Sequence, residues 1–297
     1  MIHTRQIGDA LVTNLVEYCG PTHDPFFVYP EVTPEIVERH RSWLAPAHWF
    51  DTVGRLVVAI QIWIVRAGDK VIVVDTGVGN HKPRSTKRMD MLNTLVPEWM
   101  AAAGVPFEAV THVVMTHLHT DHVGWNTVRS GEDWAPAFPN ARYFMPETDL
   151  DYFRGLYEKD PVANASVADS IEPIVEHGLV DFIEPGSEIA GLLKVTGAPG
   201  HTPGMLNLWI GDGDRRGVFC ADIFHTPMQI AEPQLNTAFC VLADAAKRTR
   251  RDFLERVADT PTLVMPCHFG TPHCGYVQRR GDGFAFIPEP ADERRFG

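Results

Sequence analysis

Cysteine is scarce in this chain and poorly placed for a structural role. The five residues, Cys19, Cys220, Cys240, Cys267 and Cys274, are odd in number and contain no CxxC pair. That excludes a disulfide framework and a cysteine-rich zinc knuckle, which need paired, closely spaced thiols. Long apolar runs are missing too. No stretch approaches the about 20 residues that cross a bilayer, and the start, MIHTRQIGDALVTNL, has no basic segment leading into an apolar one. Positive charge is in deficit, with 26 Lys and Arg against 38 Asp and Glu and a net charge of −12. A field of that sign works against a nonspecific grip on nucleic acid or on an anionic membrane. Repeats, low-complexity tracts and linker-like segments are also absent. The expectation is a cytoplasmic protein with no nucleic-acid or membrane partner, folded as a single domain over residues 1–297.

Histidine, by contrast, is abundant, with 14 residues in an acidic chain. Imidazole is the commonest protein metal ligand, so metal-ligand spacing is the first thing to look for. The strand and helix patterns place those histidines. LVVAIQIWIVRAGDKVIVVDTG, from Leu56, reads as two β-branched runs joined by Ala67-Gly68-Asp69-Lys70. This is a hairpin whose strands are apolar at nearly every position, and hence covered on both faces. It ends at Asp75-Thr76-Gly77. Met89–Ala103 reads as a helix stopped by Gly104, Glu147–Tyr157 as another and Ala243–Asp259 as an amphipathic third. ARYFM, short segments between Leu179 and Cys220, and TLVMP as the last strand supply further β structure. An aromatic-rich extension over about residues 17–51 holds Phe26, Phe27, Trp43 and Trp49 among prolines, with one short helix near Pro34–Trp43. Strands in two series, each followed by helix, predict an α/β fold of two sheets between helical layers.

The segment Thr116-His117-Leu118-His119-Thr120-Asp121-His122 ends an apolar strand. Histidines two apart on extended chain point to one side, and the Asp-His pair after them falls where the chain is expected to turn into a helix carrying Trp125. Buried strands rarely end in four such groups without a ligand to satisfy them. Three later positions repeat that form, each a polar group at the end of an apolar strand: His201 in GAPGHTPG, Asp222 in VFCADIFH and His268 in LVMPCHFG. Together they make seven ligands, the count that two metal ions need. Imidazole and carboxylate without thiolate suit zinc, and equally Mn, Fe or Co. Cys267 reads as a packed small hydrophobe.

With these residues in their order, over roughly residues 56 to 270, the sequence resembles the metallo-β-lactamase-fold hydrolases. The resemblance implies an αββα sandwich with a dinuclear site at the sheet edge. It implies that His117, His119 and His201 hold one divalent ion, that Asp121, His122 and His268 hold the other, and that Asp222 bridges them. Asp75 is implied as an outer carboxylate that orients the ligand loop. Two ions about 3.5–4 Å apart acidify a shared water, so the expected nucleophile is a bridging hydroxide and not a side chain. Elbow, zincin, P-loop and dinucleotide motifs (GxSxG, HExxH, GxxxxGK[ST], GxGxxG) are absent, which removes the usual support for competing chemistries.

Three positions after Asp222 stands His225. Quorum-quenching acyl-homoserine lactonases of the superfamily place a tyrosine near there, and this chain departs from them. The histidine, with the Gln and Pro that follow, looks more like the branch of methyl parathion hydrolase and its lactonase and arylesterase relatives. His225, and Asp121 beside its ligand role, are the candidate catalytic residues. For His225 both readings stay open: hydrogen bonding to the developing oxyanion or leaving alkoxide, or support of Asp222 from behind. The resemblance therefore implies a metal-dependent hydrolase of a small neutral or hydrophobic lactone, aryl ester or carboxylic ester. Phosphotriesterase is the alternative, followed by β-lactamase and glyoxalase II-like thioesterase. A nuclease would need a basic surface, against which the acidic balance of the chain speaks, and a flavodiiron enzyme an appended flavin domain, which is not expected here. Related lactonases pair, so a homodimer is open.

Overall fold

The computed structural model describes residues 2–289. Within them, β1 (Ile2–Ile7) and β2 (Ala10–His23) form an antiparallel hairpin, followed by α1 (Pro25–Val28), α2 (Pro34–Leu44) and β3 (Trp49–Phe50). β4 (Arg55–Ala67) and β5 (Lys70–Val74) then pair across Gly68-Asp69, in the register Ala67↔Lys70 to Trp63↔Val74. This is the expected hairpin, and β4 is buried along nearly its whole length. After it come α3 (Val96–Ala102), β6 (His112–Val114), β7 (Thr127–Ser130), β8 (Asp133–Pro136), β9 (Arg142–Met145), α4 (Glu147–Lys159) and α5 (Glu172–Glu176). β10 (Val180–Phe182), β11 (Glu188–Ile189), β12 (Leu193–Gly197), β13 (Leu206–Asp212) and β14 (Arg215–Phe219) follow. The chain continues through α6 (Met228–Ala231), α7 (Ala243–Val257), β15 (Thr262–Met265), β16 (Gly275–Arg280) and β17 (Gly283–Pro288).

Backbone proximity divides the chain into two compact units, each assembled from separated segments. The first comprises the residues up to Tyr18, Ile60–Gly197 and Pro203–Gly211. Its main sheet runs β1-β2-β4-β5-β6-β9-β10, with β5, β6, β9 and β10 parallel. Parallel strands need both faces covered, and the buried cluster around Ile64, Val113, Met115, Phe138, Tyr143, Leu150 and Phe153 supplies that cover. The second unit comprises Cys19–Ala59, Ala198–Thr202 and the chain from Asp212. Its strands run β14-β15-β16-β17, with β14 and β15 parallel. Val28, Tyr29, Leu44, Trp49, Leu56 and Met228 form its own core.

Four expectations need correction. The helix expected over Met89–Ala103 begins only at Val96: Pro97 fits the first helical turn and disfavours helix before it, and Met91 has φ +51°. No helix follows His122; a 3₁₀ turn, Gly124–Asn126, leads directly into β7. TLVMP is not the last strand, since the β16–β17 hairpin follows it. The extension is less loop-like than its prolines imply, because β2 continues to His23. None of the described helices is long and apolar enough to cross a membrane.

Candidate metal centre

In the first unit the histidine segment is held by a carboxylate at the end of the neighbouring strand. Asp75 follows β5 with φ +53°, and its buried side chain accepts the Thr116 amide at 2.7 Å and the Thr116 hydroxyl at 2.8 Å. The same carboxylate lies 3.0 Å from His122 Nδ1. A carboxylate only accepts, so Nδ1 carries the proton and Nε2 presents its lone pair. Asp121 Oδ1 stands 3.8 Å from that Nε2. His117 is fixed in the same way. The Thr116 hydroxyl gives its proton to Asp75 and accepts from His117 Nδ1 at 3.1 Å, leaving His117 Nε2 3.1 Å from His119 Nδ1. The turn itself is braced by backbone bonds, Thr76 N to His122 O at 2.8 Å and Gly124 N to Gly77 O at 2.7 Å. Gly124 is required there, because a Cβ would fall 1.9 Å from the carbonyl of Val78. A helical carboxylate adds a further brace: Asp149 of α4 accepts from Gly204 N at 2.6 Å and Leu118 N at 3.3 Å.

In the second unit the parallel pairing of β14 with β15 sets Phe219 beside Met265, so the segments leaving both strands emerge side by side. Polar groups at the carboxyl ends of parallel strands are the usual site-forming arrangement in α/β proteins. Asp222 lies just beyond β14 and His268 just beyond β15, both buried. His201 is carried by a loop pinned through Val241 N to His201 O at 3.0 Å and Leu242 N to Gly200 O at 2.9 Å. Three imidazole Nε2 atoms converge on one oxygen, Asp222 Oδ2: His268 at 3.0 Å, His201 at 3.1 Å and His225 at 3.4 Å. His268 Nδ1 donates to the Ala59 carbonyl at 2.8 Å, so in the neutral ring its Nε2 presents a lone pair to a carboxylate. Lone pairs against lone pairs repel unless a cation or extra protons lie between them. The donor set therefore fits divalent ions, with imidazole nitrogens and carboxylate oxygens whose outer partners expose the ligating atoms.

His225 is buried, and its backbone amide donates to Gln229 Oε1 at 2.7 Å. Tyr29 of the extension also reaches this region, with its hydroxyl 2.9 Å from Thr226 Oγ1 and 3.3 Å from Gln229 Oε1. Burial pushes the Tyr29 phenol upward, so it acts as a neutral group. Cys267 is buried. Burial, with the nearby Asp222 charge, also pushes the Cys220 thiol up. Trp125 and Trp49 pack into the two cores, whereas Phe26, Phe27 and Trp43 are exposed. Glu17 and Asp149 were not anticipated from sequence. Asp149 did carry a signal, an acid beside Leu150 and one turn before Phe153 on the apolar face of its helix.

The family model described as the metallo-beta-lactamase superfamily matches residues 55–268. The chain belongs to the metallo-beta-lactamase superfamily. Its fold is accordingly of the expected α/β class, the metallo-beta-lactamase fold of mixed sheets and helices, in a family of metallo-hydrolases that bind divalent ions. Among curated proteins it is 26% identical over 183 residues to the "Probable metallo-hydrolase YybB" of Bacillus subtilis (strain 168), covering 61% of this chain and 69% of that protein. Among solved structures it is similar to AidC, a dizinc quorum-quenching lactonase in complex with the product N-hexnoyl-L-homoserine, with TM-score 0.80, 20% identity and 98% of each chain covered. It is likewise similar to the hydrolase AbOPH, with TM-score 0.81, 19% identity and 98% of each chain covered. At those identities the structural likenesses speak to the fold.

Proposed function

We propose that this superfamily member is a dinuclear-metal hydrolase of neutral lactones and of aryl or carboxylic esters, acting as a single functional domain over residues 1–297. In this reading His117, His119 and His201 hold one ion, Asp121, His122 and His268 hold the other, and Asp222 serves both. The observation that carries it is the convergence of three imidazole Nε2 atoms on one Asp222 oxygen, within 3.4 Å. Bound divalent ions, zinc being our choice, supply Lewis acidity for the ester carbonyl and acidify a water. Asp75 and the Ala59 carbonyl hold the imidazole rings in the tautomer that ligates. Asp121 presents a carboxylate oxygen beside His122, and His225, held through its amide by Gln229, faces Asp222 and is set to donate a proton to an oxyanion or a leaving alkoxide. The lactonase described for AidC supports the substrate class. The histidine at position 225 favours phosphotriester cleavage, as in the methyl parathion hydrolase branch, as the second reading. The net charge of −12 suits a small neutral substrate and a cytoplasmic location without nucleic-acid partners; a homodimer is compatible with it.

The test is metal analysis combined with turnover of lactones, aryl esters, β-lactams, thioesters and phosphotriesters before and after chelation. Metal-dependent ester or lactone turnover, restored by added zinc, is the expected result. Turnover that survives complete metal removal overturns the mechanism, and turnover of β-lactams alone overturns the substrate class. His119→Ala is expected to lose one metal equivalent and several orders of magnitude in kcat while remaining folded. A kcat within about tenfold of the parent, a barrier change of only about 1.4 kcal/mol, contradicts the assignment.

A further inference from the structure

One run of rings in the second unit leads from the protein surface to the Asp222 cluster. Phe239 lies between α6 and α7 on a segment tied at both ends. Ala238 N donates to the Val28 carbonyl of α1 at 2.8 Å, and Val241 N donates to the His201 carbonyl at 3.0 Å. The Phe239 ring sits 5.7 Å from the ring of His225 at an interplanar angle of 37°. On its other sides it meets Phe27 at 6.0 Å and His23 at 6.4 Å, both edge-on. Phe27 is 60% exposed, although it belongs to the same short helix as fully buried Val28. An aromatic ring left in water beside a half-buried partner is an unsatisfied apolar surface, and such surface next to a polar cluster is the usual composition of a small-molecule site.

We propose that Phe27 and Phe239 form the wall on which the apolar acyl group of a neutral ester lies while its carbonyl is presented at His225 and Asp222. The aromatic extension thereby sets the preferred length of the acyl chain. This rests on the ester-hydrolase reading of the same site. The His225 ring defines one end of the wall, and the exposed Phe27 ring defines the other. The backbone bonds of Ala238 and Val241 hold the Phe239 segment in place, so a longer acyl chain extending from His225 gains apolar contact with Phe239 and Phe27.

The experiment uses metal-loaded enzyme and acetyl, butyryl, hexanoyl and octanoyl esters of one phenol, with the leaving group held constant. In the parent, kcat/KM is expected to rise with acyl length, mainly through KM. Phe27→Ala and Phe239→Ala are expected to lower the octanoyl-to-acetyl ratio of kcat/KM about tenfold, a typical value for a lost apolar contact in a pocket. Phe27→Leu, which keeps an apolar side chain, should restore most of the ratio, and Phe182→Ala, an exposed ring on β10, should leave it unmoved. An unchanged ratio in both alanine variants, with melting temperatures like the parent's, overturns the proposal. So does an equal loss on all four esters. Calorimetric binding of a non-hydrolysable ether analogue of the octanoyl ester separates this failure from that of the parent reading. If the parent turns over none of the esters, the hydrolase reading falls; the wall then stands or falls on the ether, and equal binding of it by Phe27→Ala and parent overturns the wall.

Discussion

At the scale of single residues, the histidines proposed as ligands are directed by what stands behind them. Asp75 accepts three donors, the Thr116 amide, the Thr116 hydroxyl and His122 Nδ1, so it fixes a strand end and an imidazole tautomer with one charge. Asp75→Asn keeps the shape but sets an NH₂ against one of those donors. The expected result is metal affinity reduced about 10–100-fold, the usual effect of losing an outer partner, with a stability loss of about 1–3 kcal/mol for the mispaired buried donor. Chelator competition and urea unfolding measure the two quantities; metal affinity equal to the parent's would show that Asp75 does not orient His122. His225 is judged by the opposite pattern. His225→Ala should retain the parent's metal content and lose kcat, whereas full kcat with intact metal removes it from the catalytic role. The seven candidate ligands and Asp75 could be read from sequence because each follows an apolar strand and breaks its pattern with a ligand-type residue. Glu17 could not. Its buried carboxylate accepts from Val78 N at 2.6 Å and Trp125 Nε1 at 2.7 Å, contacts that join residues far apart in sequence with no local periodicity to announce them.

At the scale of elements, legibility followed turn chemistry and burial. The hairpins β1–β2, β4–β5 and β16–β17 share one two-residue turn, Gly-Asp, with the glycine at φ +56°, +59° and +59°. Only the middle one was recognised from sequence. Its strands are continuous apolar runs, whereas the other two interrupt theirs with Arg and Gln, which dilute the β signal. The helix expected after His122 fails for a related reason, since Gly124 is spent on a close approach to Val78 rather than on a helical turn. Gly124→Ala is therefore expected to cost more than about 3 kcal/mol, because its Cβ meets backbone that cannot step aside; a melting temperature within a degree or two of the parent's would contradict this. The segment before β4 contributes a pH response. His48 is buried and accepts from Gly270 N at 3.1 Å, and burial, then neighbouring His273, pushes it from 6.5 down to about 3. Between those values the unfolded chain binds a proton that the folded chain refuses. The His48 contribution is thus fully present above 6.5 and is lost as pH falls toward 3, at up to about 1.4 kcal/mol per pH unit. His48→Asn, which keeps an acceptor for Gly270, should flatten the fall of the urea midpoint between pH 6.5 and 4. An acid limb as steep as the parent's would assign that sensitivity to other groups.

At the scale of the whole molecule, the proposed ligands are divided between the two units: His117, His119, Asp121 and His122 belong to one, His201, Asp222 and His268 to the other. Any ion bound by the native chain and not by the unfolded one stabilises it by mass action, about 4 kcal/mol at a thousandfold excess over Kd. For a chain of 297 residues that is on the order of 10 °C in melting temperature. Removal of the ions by a strong chelator should therefore lower the melting temperature by about that amount and restore it on zinc addition. The variants tell a shared centre from separate ones. If Asp222 serves both ions, Asp222→Ala loses a larger part of the metal-linked shift than His119→Ala or His268→Ala, each of which forfeits one ion's increment. If the units bound their ions independently, Asp222→Ala would lose no more than His268→Ala, and the His119→Ala increment would add to it without coupling. A thermal shift that Asp222→Ala and His268→Ala reduce equally would thus dismantle the bridged arrangement while leaving the family assignment untouched.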